Sequence, residues 1–101
     1  MARYLMLALN GPVEGDGKES AYNDWYNRIH IPDLRAVPGI KSARRFKVMQ
    51  SNLQWPYVAA YEIETDDLAK TMDAMQAGLS PFDESFDRSN SAHVLALEID
   101  C

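Results

Sequence analysis

Ile40-Lys41-Ser42-Ala43-Arg44-Arg45-Phe46-Lys47-Val48-Met49, and then Tyr57-Val58-Ala59-Ala60-Tyr61-Glu62-Ile63, is the stretch on which the fold turns. In its first half Ile40, Ser42, Arg44, Phe46 and Val48 alternate with Lys41, Ala43, Arg45, Lys47 and Met49, the period of a strand with one wetter side. The second half is a strand rich in aromatic and β-branched residues, and Ser51 to Pro56 is the connection. Two strands thus follow one another directly in the middle of the chain, and what flanks them decides the topology.

Upstream, between Ser20 and His30, Tyr22, Trp25, Tyr26 and Ile29 fall at i, i+3, i+4 and i+7, which is one face of a helix. Ser20 is the expected N-cap. Pro32 is expected to end this helix or to start a new turn, with Asp33 to Val37 a short helical piece closed by Pro38-Gly39. Before the helix, Arg3 to Leu9 is a compact apolar strand, ended by Asn10-Gly11-Pro12 and by the Gly15-Asp16-Gly17 loop. Downstream, Thr65 is the expected N-cap of a second helix with Asp66 and Asp67 in its first turn. Leu68, Met72, Met75 and Leu79 form its apolar stripe, and Gly78, Ser80 and Pro81 stop it. Phe82 to Asn90 is read as a lid or docking loop, and Ala92 to Ile99 as the last strand. The order β-α-β-β-α-β predicts an α+β, ferredoxin-like fold: a four-stranded antiparallel sheet with two helices on one face.

The opposite face of such a sheet should alternate to polar residues if it met water. It mostly does not: Leu5, Leu7 and Leu9 oppose Tyr4, Met6 and Ala8, and Val58 and Ala60 oppose Tyr57, Ala59 and Tyr61. Two apolar faces need two covers, which predicts a homodimer joined sheet against sheet; the alternative is a monomer with an apolar open face. With 101 residues the expected organisation is a single domain, 1–101, and the one cysteine, Cys101, excludes an intramolecular disulfide. Ten Lys and Arg against fifteen Asp and Glu give a net charge of −5, the wrong sign for nucleic acid or an anionic membrane as a partner. The longest apolar run, Leu5 to Leu9, falls far short of the ~20 residues of a membrane span. No leader precedes it, so the expected location is cytoplasmic.

Chemistry in this chain centres on His30, which follows Tyr22 and Tyr26 along one helix edge. A neutral imidazole accepts and returns a proton, and a phenol donates to a developing oxyanion. The competing reading is a helix-terminal histidine balancing the dipole beside ordinary core aromatics. Tyr57 and Tyr61, with the small Ala59 between them, suit a cavity wall, as does Trp25; simple packing would use the same residues. His93, at the start of the last strand, is a further lining candidate or a surface residue. Arg44 and Arg45 must point to opposite faces. Arg44 is the ligand-anchoring candidate of the pair, although which of the two faces the pocket stays open, as do the roles of Asn10, Asp24 and Asp33. Two histidines without His-x-x-x-His or Glu-x-x-His spacing predict no metal site.

The stretch Tyr22-Asn23-Asp24-Trp25-Tyr26-Asn27-Arg28-Ile29-His30-Ile31-Pro32-Asp33-Leu34, then Val37-Pro38-Gly39-Ile40 and Ala43-Arg44-Arg45-Phe46, resembles the EthD-like branch of the dimeric α+β barrel superfamily. The shared pattern is an aromatic-rich first helix ending in His-x-Pro, a Val-Pro-Gly turn, and a strand with an arginine and an aromatic. The resemblance implies a homodimeric barrel with one small-molecule cavity per subunit between helices and sheet, and it favours His30 as acid/base. It disfavours the haem-degrading relatives, whose iron ligand lies on the other helix, because Leu68 to Leu79 contains no histidine. The function it implies is cofactor-free acid/base catalysis by an isomerase, lyase or dehydratase on a hydrophobic carbonyl, phenolic or lactone compound. His30 would act with Tyr22 and Tyr26, while Trp25, Tyr57, Tyr61, Arg44 and His93 bind substrate. A non-catalytic ligand-binding or accessory dimer is the alternative, and a cofactor-free monooxygenase the third reading.

Overall fold

The computed structural model describes residues 1–100; Cys101 lies outside the described residues. Four strands, β1 (Ala2–Asn10), β2 (Ile40–Lys47), β3 (Tyr57–Thr65) and β4 (Ala92–Leu97), form one sheet in the order β2-β3-β1-β4. Every neighbouring pair is antiparallel. Helical segments cover one face: α1 (Lys18–Trp25), a π-helical turn (Tyr26–His30), α2 (Ile31–Arg35) and, after β3, α3 (Leu68–Ala77). This is the ferredoxin-like α+β fold expected from the order of elements.

The first helix does not break before Pro32. Backbone angles stay right-handed helical through Tyr26, His30 and Ile31, and the Ile31 N–H donates to the Tyr26 carbonyl five residues back. Pro32 lacks an N–H, and in an α-helix its ring would strike the carbonyl four residues earlier. The widened turn before it makes room for the ring. It also sets the direction of His30. An α-helix over-rotates by about 40° every four residues, so Tyr22, Tyr26 and His30 would drift off a common face; a wider turn under-rotates and returns the imidazole inward.

The caps differ from those expected. The first helix begins at Lys18, with left-handed Gly17 (φ 75°) as N-cap instead of Ser20. Asp67, not Thr65, caps α3: its Oδ1 accepts the Lys70 N–H at 3.0 Å. Thr65 instead receives the Asp67 N–H and the Thr71 hydroxyl on its own Oγ1. Both candidate caps are short oxygen-bearing residues two positions apart, and the two hydrogen bonds settle Thr65 two residues before the N-cap.

A β-bulge at the start of β2 corrects the strict alternation. Ile40 pairs with Ile63 but Ser42 with Glu62, so Lys41 is an extra residue and the strand's parity changes across it. Ile40 is therefore buried on the helix side together with Ala43, followed by Arg45, while Ser42, Arg44 and Phe46 take the open face. On β1, Met6 is buried against the helices, with Leu5, Leu7 and Leu9 opposite. The open face thus carries these leucines beside Val58, Ala60 and Val94, with no helical layer over them. Among the described residues no helix is long and apolar enough to cross a membrane.

The segment before β4 is docked. Pro12 and Phe86 form an isolated antiparallel bridge, Val13 N–H donates to the Ser85 carbonyl at 2.8 Å, and Asp87 N–H to the Gly11 carbonyl at 3.1 Å. These bonds press Phe82 and Phe86 onto the helix aromatics.

Candidate functional site

Asn10, the last residue of β1, is buried and organises the phenols. Tyr22 donates its hydroxyl proton to Asn10 Oδ1, and Asn10 Nδ2 donates to the Tyr26 hydroxyl oxygen at 3.3 Å. Tyr26 therefore keeps its own proton for another acceptor, and the Tyr61 oxygen lies 3.4 Å away. Tyr22, Tyr26 and Tyr61 are all essentially inaccessible to solvent. Burial pushes the Tyr22 and Tyr61 hydroxyls well above the ordinary phenol range, reinforced in both by Tyr26. They stay protonated, and Tyr22 serves as a donor to Asn10.

Arg45 closes this cluster from the sheet side. Its guanidinium lies 4.2 Å from the Tyr26 ring centroid and 5.2 Å from those of Tyr22 and Tyr57. Its nitrogens donate to Asn27 Oδ1 at 3.0 Å and Asn23 Oδ1 at 2.9 Å. Asn23 Nδ2 in turn donates to the Tyr57 hydroxyl, which donates to Glu19.

His30 is 7% exposed and packed among rings: Trp25 at 4.9 Å, Tyr26 edge-on at 4.9 Å and Phe82 at 5.2 Å between centroids. Its Nδ1 is enclosed without a hydrogen-bond partner. Desolvation pushes the imidazole down to about 4; the Asp33 carboxylate opposes this and Arg45 adds to it. Asp33 itself accepts the Ser80 N–H at 2.9 Å and ties α2 to the end of α3. At neutral pH His30 is an uncharged base.

A cavity of about 490 Å³ opens between the π turn, α3, β1 and the docked loop, within the size range of small-molecule sites. Asn10, Tyr26, His30 and Tyr61 form its polar end; Met72, Met75, Phe82 and Phe86 belong to its apolar wall; Arg88 and His93 also line it. Of the residues singled out from sequence, the structure brings His30, Tyr26, Tyr61 and His93 to this cavity. Tyr22 and Trp25 stand one layer behind it, and Tyr57 lies behind Tyr22, 5.4 Å away between centroids. Arg44 is a correction: it points to the open face and pairs with Glu62 at 3.0 Å, whereas Arg45 is the arginine that meets the aromatic cluster. Asp24 pairs with Arg28 on the surface. A hollow of about 570 Å³ on the open face is larger. Both of its arginines are already paired, Arg44 with Glu62 and Arg3 with Glu64 at 3.3 Å, and its lining contains no histidine, so the smaller cavity is the chemically equipped one. No group of three potential metal ligands occurs among the described residues.

The segment Phe82 to Asn90 read as a lid or docking loop, but without periodicity nothing in it told that Phe82, Phe86 and Arg88 line the cavity. Met72 and Met75 read as core, and they are both core and wall. Asn10 carried one usable signal, a polar residue closing an apolar strand where a turn begins.

The ferredoxin-like fold is shared with solved proteins. An EthD family protein from Bacillus halodurans superposes with a TM-score of 0.67 at 14% identity, over 98% of this chain and 100% of that one. A DABB family protein with a ferredoxin-like fold from Mesorhizobium loti gives 0.64 at 7% identity, over 99% and 100%. A dimeric ferredoxin-like protein of unknown function from Jannaschia gives 0.64 at 16%, over 96% and 99%. In sequence, 66 residues are 36% identical to Core atranone cluster (CAC) protein 1 of Stachybotrys chlorohalonatus, a match spanning 65% of this chain and 27% of that protein. No family model matches the chain.

Proposed function

We propose that the cavity is the site of a cofactor-free acid/base enzyme, an isomerase, lyase or dehydratase acting on a hydrophobic carbonyl, phenolic or lactone compound. The observation that carries this reading is that an uncharged histidine and two buried phenol side chains, Tyr26 and Tyr61, converge on one small-molecule cavity. His30 takes a proton from carbon next to a carbonyl: the C–H bond breaks, its electrons move to the carbonyl oxygen, and Tyr26 donates a hydrogen bond to the oxyanion. The negative charge so formed beside His30 raises the affinity of the imidazole for the proton it has taken. Returning that proton to another carbon completes an isomerisation; expelling a leaving group completes an elimination. Tyr22 acts through Asn10, which orients Tyr26.

Hydrogen exchange in D2O tests this reading with a panel of β-keto esters and unsaturated lactones, followed by mass spectrometry. The wild-type protein exchanges at least one of them, and His30→Ala lowers that rate by about 100-fold or more. Loss within a factor of a few overturns the role of His30. Oxygen consumption in the same assay would assign the site to a cofactor-free monooxygenase instead.

One observation favours a second reading, a ligand-binding module without chemistry. No carboxylate or carbonyl holds the buried Nδ1 of His30, and a catalytic histidine usually has such an orienting partner. That module raises its melting temperature with ligand and returns the ligand unchanged.

The same proposal includes a homodimer formed through the open face. The uncovered leucine rows on β1 support it, and the Jannaschia protein of this fold is described as dimeric.

A further inference from the structure

The cavity has a charge character that the rest of the chain does not share. The protein carries fifteen acidic residues and a net charge of −5, and Glu62, Glu64 and Glu98 border the hollow on the open face. No aspartate or glutamate lines the cavity that holds His30. Its one charged lining residue is Arg88, on the docked loop.

Arg88 is also unpaired: it takes part in none of the ion pairs among the described residues. Its guanidinium lies 5.1 Å from the Phe82 ring centroid, over a residue of the cavity wall. Asn10, Tyr26 and Tyr61 meet in a hydrogen-bonded group of the lining, and His30, Gln76, Ser91 and His93 supply its other polar side chains. Phe82, Phe86, Met72 and Met75 give the wall phenyl and thioether surfaces, which favour flat, polarisable groups. A cation in this space would find no counter-charge and a guanidinium of its own sign. A neutral ligand would leave the charge of the guanidinium uncompensated. A carboxylate gains charge-assisted hydrogen bonds from Arg88, and excluding acids from the lining removes the local part of the repulsion that an acidic chain exerts on it.

We infer that the cavity binds an aromatic or conjugated monocarboxylate, its carboxylate against Arg88 and its far end against Asn10, Tyr26 and Tyr61. The inference rests on the reading of this cavity as the functional site and narrows its ligand class. Arg88 is on this account a specificity-determining residue that does not touch the reacting atoms.

The test compares 2-naphthoate with its neutral isostere 2-naphthamide by isothermal titration calorimetry at neutral pH and low salt. The naphthoate binds about fivefold tighter than the amide, the scale of one partly exposed ion pair. Arg88→Gln removes that advantage and leaves amide binding unchanged, whereas Arg44→Gln, an equal loss of charge on the open face, preserves it. Arg88 is exposed, so its replacement leaves folding intact, and a thermal melt of the variant verifies this. Equal or tighter binding of the amide overturns the inference, as does an advantage that survives Arg88→Gln or the failure of both probes to bind at millimolar concentration. The measurement reads binding alone: an anion preference stands even where His30→Ala shows no catalytic role, and a catalytic role for His30 stands even where the preference is absent.

Discussion

The imidazole of His30 lies nearly parallel to the indole of Trp25, with centroids 4.9 Å apart and planes at 27°, and each ring holds a buried nitrogen without a hydrogen-bond partner. A protonated imidazole stacked on an indole gains roughly 0.5 to 2 kcal/mol of cation–π attraction. Burial outweighs it, and the imidazole stays neutral down to about pH 4.

That neutrality makes stability depend on pH. In the unfolded chain His30 takes up a proton below its ordinary value of 6.5, whereas in the folded protein it does so only near 4. Between these values the unfolded state binds more protons, so stability falls as pH drops from about 6.5 to 4, by up to about 3 kcal/mol, and levels off below. His30→Phe keeps a ring in the stack and has nothing to titrate. Urea unfolding of both proteins across this range will show the wild type losing stability relative to the variant as the solution is acidified. Parallel pH curves would refute the assignment.

Asn10 is expected to be worth more than its single side chain. Asn10→Leu removes the acceptor of the Tyr22 proton and the donor to Tyr26 together. Unsatisfied buried hydroxyls cost about 1 to 3 kcal/mol each, so we expect a loss of about 2 to 4 kcal/mol by urea denaturation. Tyr22→Phe on top of Asn10→Leu should cost much less than Tyr22→Phe alone, since the hydroxyl it removes has already lost its partner. Additive losses would mean that the two residues are not coupled.

Neighbouring arginines should behave differently. Arg45→Met gives up two hydrogen bonds and a stack over three phenols, and is expected to cost about 1 to 3 kcal/mol. Arg44→Met gives up one exposed pair with Glu62 and a distant, exposed stack on Phe46 at 5.8 Å, and is expected to stay within about 1 kcal/mol of wild type. Equal effects in chemical denaturation would contradict the placement of the two side chains.

Arg44 and Arg45 also mark how far the sequence could be read. The order of elements followed from periodicity, because apolar spacing of 2 and 3.6 separates strand from helix along most of this chain. Alternation alone likewise put the two arginines on opposite faces. It could not say which face met the helices, because the extra residue at Lys41 changes the parity within β2, and a bulge without glycine leaves no mark on the pattern. The π turn was equally hidden: i, i+3, i+4 and i+7 put Ile29 on the buried face, whereas the wider turn over Tyr26–His30 leaves Ile29 exposed and buries His30 in its place, and Pro32 signalled a break that the wider turn absorbs. His30 and the phenols were legible as chemistry by residue type. The wall facing them was not, since Phe82, Phe86 and Arg88 reach the cavity through backbone bonds between Gly11 to Val13 and the loop, a tertiary pairing with no local signature.

The open face supplies the last prediction. Leu7 sits in the middle of it, between Ala60 on β3 and Val94 on β4, and a glutamate there would remain hydrated in a monomer but be stripped of water in a sheet-to-sheet dimer. Burying one unpaired carboxylate per subunit costs several kcal/mol, enough to shift dissociation by orders of magnitude. Light scattering should therefore report a dimer for the wild type at micromolar concentration and a monomer for Leu7→Glu, with circular dichroism showing that the variant retains its fold. Phe46→Glu, at an exposed position on the same face, provides a second variant less demanding of the core. A wild-type monomer at that concentration, or dimers that persist in both variants, would place the contact elsewhere and leave the rows of Leu5, Leu7 and Leu9 facing water.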